Sequence, residues 1–262
     1  MTWQRFIENA QPGEHAVQIL GDADRPTEAL SRYVGAGLRS GAPAVIVARA
    51  GHWRSLVQEL EGRGWDPAAL RRERFLNYRD AEETLEKFMR DGSPEPERFA
   101  RVVGELLDEV AAVFPGQTIR AFGEMVDILW ARGEEQAALA VEELWNELAR
   151  TRGFALLCGY HLDIFDLDVQ REALPEIFRA HSHAQPTTSS GRLAEAVHRA
   201  LTDIAGPRGA ARVYLDMAEQ MPATSLPRAQ AVLSRLSDTN GRLARLVLER
   251  ARLHYAVTRA AA

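Results

Sequence analysis

Cysteine is almost absent from these 262 residues: Cys158 stands alone, so the chain cannot form an internal disulfide, which suits a reducing cytosol. Lysine is equally scarce, with Lys87 the one lysine among 32 basic residues and arginine supplying the rest. No apolar run approaches the roughly 20 residues that a bilayer-crossing helix requires. The opening MTWQRFIENAQPGEH is too polar for a secretory signal. These absences lead us to expect a cytoplasmic protein with no membrane partner. What is present is a 46% hydrophobic composition, enough for a large core, and a net charge of −5. The charge is uneven: from Ser190 onward 11 arginines face six acidic residues, so the tail is basic and the rest acidic.

Between His15 and Tyr160, short apolar runs alternate with stretches of helical period. HAVQIL (His15–Leu20), AVIVA (Ala44–Ala48), RFLNY (Arg74–Tyr78), TIRAF (Thr118–Phe122) and FALLCGY (Phe154–Tyr160) have the composition of strands buried on both faces of a parallel sheet. Amphipathic stripes fill the intervals, Phe99, Val102, Val103, Leu106, Leu107 and Val110 being the longest. Strand–helix–strand repetition predicts an α/β domain over residues 1–186, its mainly parallel sheet covered by helices on both faces. A polar linker, residues 184–191, leads into a region 187–262 whose pattern is helical only, with a hairpin expected over 227–259 around Asp238-Thr-Asn-Gly241. Val232, Leu236, Leu243, Leu246 and Leu253 approach heptad spacing, which points to a homo-oligomer formed through these helices.

The loop after the first strand reads GDADRPTE, at the place where a nucleotide-binding domain of this layout carries G-x-x-x-x-G-K-[ST]. Aligning Gly21 with the first glycine puts Pro26 at the second, Thr27 at the lysine and Glu28 at the magnesium-binding hydroxyl. Proline removes a phosphate-binding N–H. Asp22, Asp24 and Glu28 repel a triphosphate by several kcal/mol per close pair, on the order of 4 kcal/mol at 4 Å and intermediate dielectric. Asp22 and Asp24 therefore read as helix caps or as contacts to some other ligand.

Ligands of open α/β sheets bind outside the carboxyl ends of the strands. That rule selects Glu124, after the fourth strand, as a pocket acid or a partner for Arg120, and Tyr160 and His161 after the fifth. His15, at the head of the first strand, joins the candidates, as do Trp145 and Asn146 on a helical stretch. The plainer reading of Trp145 is core packing, with Asn146 satisfying a buried backbone group. The histidines His15, His52, His161, His181 and His183 show no zinc-motif spacing, Cys158 lies in an apolar strand, and His198 lacks a phosphotransfer signature. No Gly-x-Ser-x-Gly turn or other catalytic constellation is present. We therefore expect no enzyme, no metal and no cofactor.

The runs GAGLRSGAPAVIVA, AEETLEKFMRDGSPEPERF (Ala81–Phe99), IRAFGEMVDILWARG (Ile119–Gly133), EELWNELA (Glu142–Ala149) and FALLCGYHLDIF (Phe154–Phe165) occur in this order. In these runs the block from about His15 to Pro186 resembles the MEDS family, the sensory domain of DcmR-type regulators, with His181 or His183 as its usual closing histidine. The resemblance implies a RecA/KaiC-like fold without a working phosphate loop, serving as a signal-input module in histidine kinases and transcription regulators, with small hydrocarbon derivatives as proposed ligands. No kinase motif, receiver-type acidic cluster or known effector pattern accompanies it. The expectation is a non-catalytic sensory protein that binds a small molecule or a signalling protein and signals through its helical tail. The alternatives are a DNA-binding regulator using the arginine-rich helices and a residual nucleotide binder; nucleic acid is the less favoured partner.

Overall fold

The runs HAVQIL, AVIVA and IRAFG are each buried along their whole length, as strands covered on both faces must be. The computed structural model describes residues 3–21, 26–185, 187, 190–220 and 227–260. Its strands are β1 (His15–Leu20), β2 (Ala44–Ala48), β3 (Leu76–Asp80), β4 (Met89–Arg90), β5 (Ser93–Pro94), β6 (Ile119–Gly123), β7 (Phe154–His161) and β8 (His183–Gln185). Six form one sheet in the order β3-β2-β6-β7-β1-β8. The pairs β2–β3, β2–β6 and β6–β7 run parallel, with Ile46 opposite both Tyr78 and Phe122. Helices intervene between the successive strands of this six-stranded sheet, so the expected parallel α/β architecture is the one observed.

The departures are local. β3 and β6 begin later than their apolar runs, at Leu76 and Ile119, and extend through Asp80 and Gly123. Arg74 accounts for the first shift, since its left-handed backbone (φ 64) ends the preceding turn rather than starting a strand. β4 and β5 form a small antiparallel ribbon closed by Asp91 and Gly92, both at positive φ, as a two-residue hairpin turn demands. The polar stretch 184–191 is not all connection: β8 ends at Gln185 and the next helix starts at Ser190.

The chain divides into two compact units. The first comprises residues 1–18, 25–160 and 180–183, the second residues 19–24, 161–179 and 184–262. In the first, helix Trp3–Asn9 is fixed by a polar residue of the sheet. Arg120 on β6 is buried, lies over the Tyr33 ring and donates to the carbonyls of Ile7 and Glu8, each at 3.1 Å. A cation is thereby placed at a helix C-terminus, where the dipole favours it. Arg120 does not pair with Glu124, contrary to one of the sequence expectations.

In the second unit, helix Ser190–Gln220 breaks at Gly206 (φ 70), followed by Pro207. Helices Arg228–Thr239 and Gly241–Ala260 follow, and the Asn240 side chain caps the latter by accepting from the Leu243 N–H at 3.1 Å. The last helix buries Ala244, Val247, Leu248 and Ala251, while Leu246 and Leu253 are exposed. Two of the three heptad-like leucines of that helix therefore lie off its packing face, Leu243 being half-buried. Among the described residues no helix is long and apolar enough to cross a membrane.

Gly37 supplies the space that Arg120 occupies: a Cβ there would stand 2.6 Å from Arg120 Cγ. Gly37→Ala is expected to destabilise the protein by about 1–3 kcal/mol, despite alanine's better helix propensity, because the overpacked arginine must move. Urea unfolding of the two proteins checks this; equal or greater stability in the variant contradicts it.

Candidate functional site

Two polar groups in the first unit gather most of the chemistry. The first stands at the carboxyl ends of β2 and β6. Glu124 follows β6, its backbone N–H held by the Val47 carbonyl at 3.0 Å, and its side chain turns to the start of helix Ala50–Gly62. One carboxylate oxygen accepts from the Arg49 backbone N–H at 2.8 Å, so the anion lies at a helix N-terminus. Arg49 bridges Glu124 and Asp127, the latter at 2.7 Å, and His52 Nδ1 approaches Glu124 at 3.2 Å. Burial opposes ionisation of Glu124, but His52 and Arg49 outweigh it and hold the carboxyl below its ordinary value. The sequence pointed to Glu124 as a pocket acid; its partners Arg49 and His52, and Asp127, which shares Arg49, were not among the residues selected.

The second group lies inside the domain, where His15 of β1 and Cys158 and Tyr160 of β7 meet Glu142 and Asn146 of helix Glu135–Ala149. His181, which follows helix Leu174–Ala180, completes it, its ring 4.1 Å from that of His15. Glu142 is fully buried and accepts from the Tyr160 hydroxyl at 2.8 Å. The Asn146 amide nitrogen donates to the Ala180 carbonyl at 3.0 Å, which leaves its oxygen 2.9 Å from His15 Nδ1. Burial alone would raise the Glu142 carboxyl, but His181 and His15 hold it far below the carboxylate range. Burial, with Glu142 close by, pushes the Cys158 thiol and the Tyr160 phenol well above their usual values.

Of the residues selected from sequence, His15, Asn146 and Tyr160 thus share one site. Trp145 is fully buried among Phe99 and Phe154, its indole nitrogen 3.5 Å from where a Cβ on Gly123 would stand. Arg120 anchors the first helix, Glu124 heads the edge group, and His161 is exposed and belongs to the second unit. Asp22 and Asp24 lie outside the described residues. Sequence reasoning gave no role to Glu142, whose position on an apolar helix face was its one available signal.

Glu124 makes a pH prediction. Its folded pKa is lowered, so its stabilising contribution is complete above the unfolded carboxyl value of about 4.3 and is lost as pH falls through the folded value. Wild type should exceed Glu124→Gln by about 1–3 kcal/mol at neutral pH, with the gap narrowing below about pH 4.5. Urea unfolding at neutral and acid pH measures the gap, and one that does not change with pH contradicts this account.

Neither a curated protein nor a solved structure matches the chain. The family described as MEDS, MEthanogen/methylotroph, DcmR Sensory domain, matches residues 14–176, which include every residue of the edge group and, except for His181, every residue of the interior one. The match spans more than half of the chain, which therefore belongs to the MEDS family of sensory domains.

Proposed function

We propose that this protein is a sensor without catalytic activity, that a small organic anion is its ligand, and that the helical tail transmits the signal. The sensory role comes with the family. The observation that carries the ligand is a cavity of about 270 Å³ in the first unit, lined by Val47, Arg79, Thr84, Lys87, Arg101 and Leu106 among others. Val47 and Arg79 are each the fourth residue of a five-residue strand, so the cavity lies toward the carboxyl ends, where open parallel sheets take ligands. Its three cations, the lone lysine among them, outnumber Glu105 and Glu109, and Val47, Val103 and Leu106 add apolar wall.

Arg101, Val102 and Val103 come from the π-helical segment Ala100–Gly104. Such segments are rare and concentrate at functional sites, since the wider turn redirects side chains at a cost in backbone geometry. The volume suits a ligand of few heavy atoms, such as a short-chain carboxylate. A nucleoside triphosphate is disfavoured by the Gly21–Glu28 loop, which has no lysine and has proline at its second glycine position.

Thermal-shift titration with acetate, propionate and butyrate, against ATP with Mg²⁺, tests the reading. A saturable rise in melting temperature is expected for at least one carboxylate and none for the nucleotide. Replacing Arg79 and Lys87 together by glutamine should weaken that response about tenfold or more, the scale of a lost charge-assisted hydrogen bond. A nucleotide-driven shift with no response to any carboxylate rejects it.

A further inference from the structure

We propose that His15, Glu142, Cys158 and His181 together bind one zinc ion in a closed, four-ligand site. One ligand atom from each residue lies within 4.8 Å of all the others. Tetrahedral zinc holds nitrogen and oxygen at about 2.0–2.2 Å and sulfur at about 2.3 Å, which sets its ligand atoms about 3.3–3.8 Å apart. Here His15 Nε2 is 3.2 Å from both Cys158 Sγ and Glu142 Oε2, Sγ is 3.6 Å from Oε2, and His181 Nε2 is 3.4 Å from Oε1. His15 Nε2, Cys158 Sγ and Glu142 Oε2 thus stand at ligand spacing around one point, and His181 Nε2 approaches the same carboxylate from its Oε1 side, within 4.8 Å of the others.

The surroundings of His15 point the same way. The Ala180 carbonyl accepts from the Asn146 amide nitrogen, so the Asn146 oxygen faces His15 Nδ1, which must carry the proton and donate it. In a neutral imidazole, Nε2 then presents a lone pair 3.2 Å from both the Cys158 sulfur and a Glu142 oxygen. Without an ion the thiol proton lies among these acceptors, and a cation that displaces it meets three lone pairs directed at one point. Asn146 and Tyr160 are what a metal site needs around its ligands, one fixing a histidine tautomer and the other holding the free carboxylate oxygen.

The charge also closes. A thiolate and a carboxylate neutralise a divalent ion, and two neutral imidazoles add none, so a group of side chains no more than 8% exposed carries no net charge. Binding replaces the thiol proton by the metal and releases that proton to solvent, so affinity falls as pH falls. Nitrogen, sulfur and a single carboxylate favour zinc over magnesium or calcium. With four protein ligands the site is structural rather than hydrolytic, fastening the segment that bears His181 to β1, β7 and helix Glu135–Ala149.

The test uses the full chain without a histidine tag, stripped by chelator and titrated with Co²⁺ as a spectroscopic probe. The expected result is saturation at one ion per chain, with the intense visible bands of tetrahedral cobalt and a near-ultraviolet thiolate-to-cobalt transition, all displaced by Zn²⁺. Cys158→Ser should abolish the thiolate transition, and His181→Gln should weaken binding at least about tenfold. Circular dichroism of the stripped variants reports whether they fold, and the wild-type spectrum decides the question even if they do not. Wild type that takes up no stoichiometric Co²⁺ or Zn²⁺, or that binds it without a thiolate transition, overturns the proposal and leaves a hydrogen-bonded His–Cys–Glu network.

Discussion

Strands covered on both faces have no access to water, and every polar group placed on them must find its partners within the protein. This constraint organises the first unit. Arg120, on a strand, is matched to the carbonyl end of helix Trp3–Asn9 and the face of Tyr33. Tyr33 in turn gives its hydroxyl to the Ala155 carbonyl at 2.8 Å. His15 and Tyr160, also on strands, converge on Glu142. Arg120, His15 and Tyr160 therefore each tie a strand to a neighbouring helix, and the positions of those helices follow in part from where these few side chains stand.

Electrostatics divides the two polar groups by purpose. At the strand edge, Arg49, Glu124, Asp127 and His52 mix both signs, and Arg49 keeps a third of its side chain exposed. Only Arg49 of this group reaches water, the side chains of Glu124, Asp127 and His52 being no more than 6% exposed. The interior group has no such recourse: its carboxylate is fully buried and leans on two histidines. Removing one member there leaves an unmatched charge, which is far more costly than losing a surface pair.

How much of this was legible depends on range. The runs HAVQIL and AVIVA became β1 and β2 at the residues their composition marked, because hydrophobic patterning acts over a few neighbours. Ends were less visible: Arg74 belongs to a turn by its backbone angle, which no apolar count registers. The ribbon β4–β5 hid in a proline-containing stretch, and the π-helical turn at Ala100–Gly104 lay within an ordinary amphipathic stripe. His15, Asn146 and Tyr160 were separately noticeable as polar residues in apolar settings. Their meeting was not, since residues 15, 142, 146, 158, 160 and 181 come together only through sheet order and helix packing. Glu124 was visible because a strand-end rule applies to it, but its choice of Arg49 over Arg120 was decided by the helix that Glu124 caps.

Within the second unit, the Gln230 amide donates to Gln170 at 2.8 Å, and Arg252 pairs with Asp163 at 2.6 Å. The helices after Ser190 thus hold the segment 161–179, which precedes them in the chain and lies largely inside the region matched to the family. Sequence similarity and physical cohesion draw different borders here. A gene fragment ending where the family match ends would encode buried Gln170 without the partner it has in Gln230. As a unit of recombination, this chain's module therefore extends beyond its recognisable motif: a transplant that keeps the contacts of residues 161–179 carries the helical tail along.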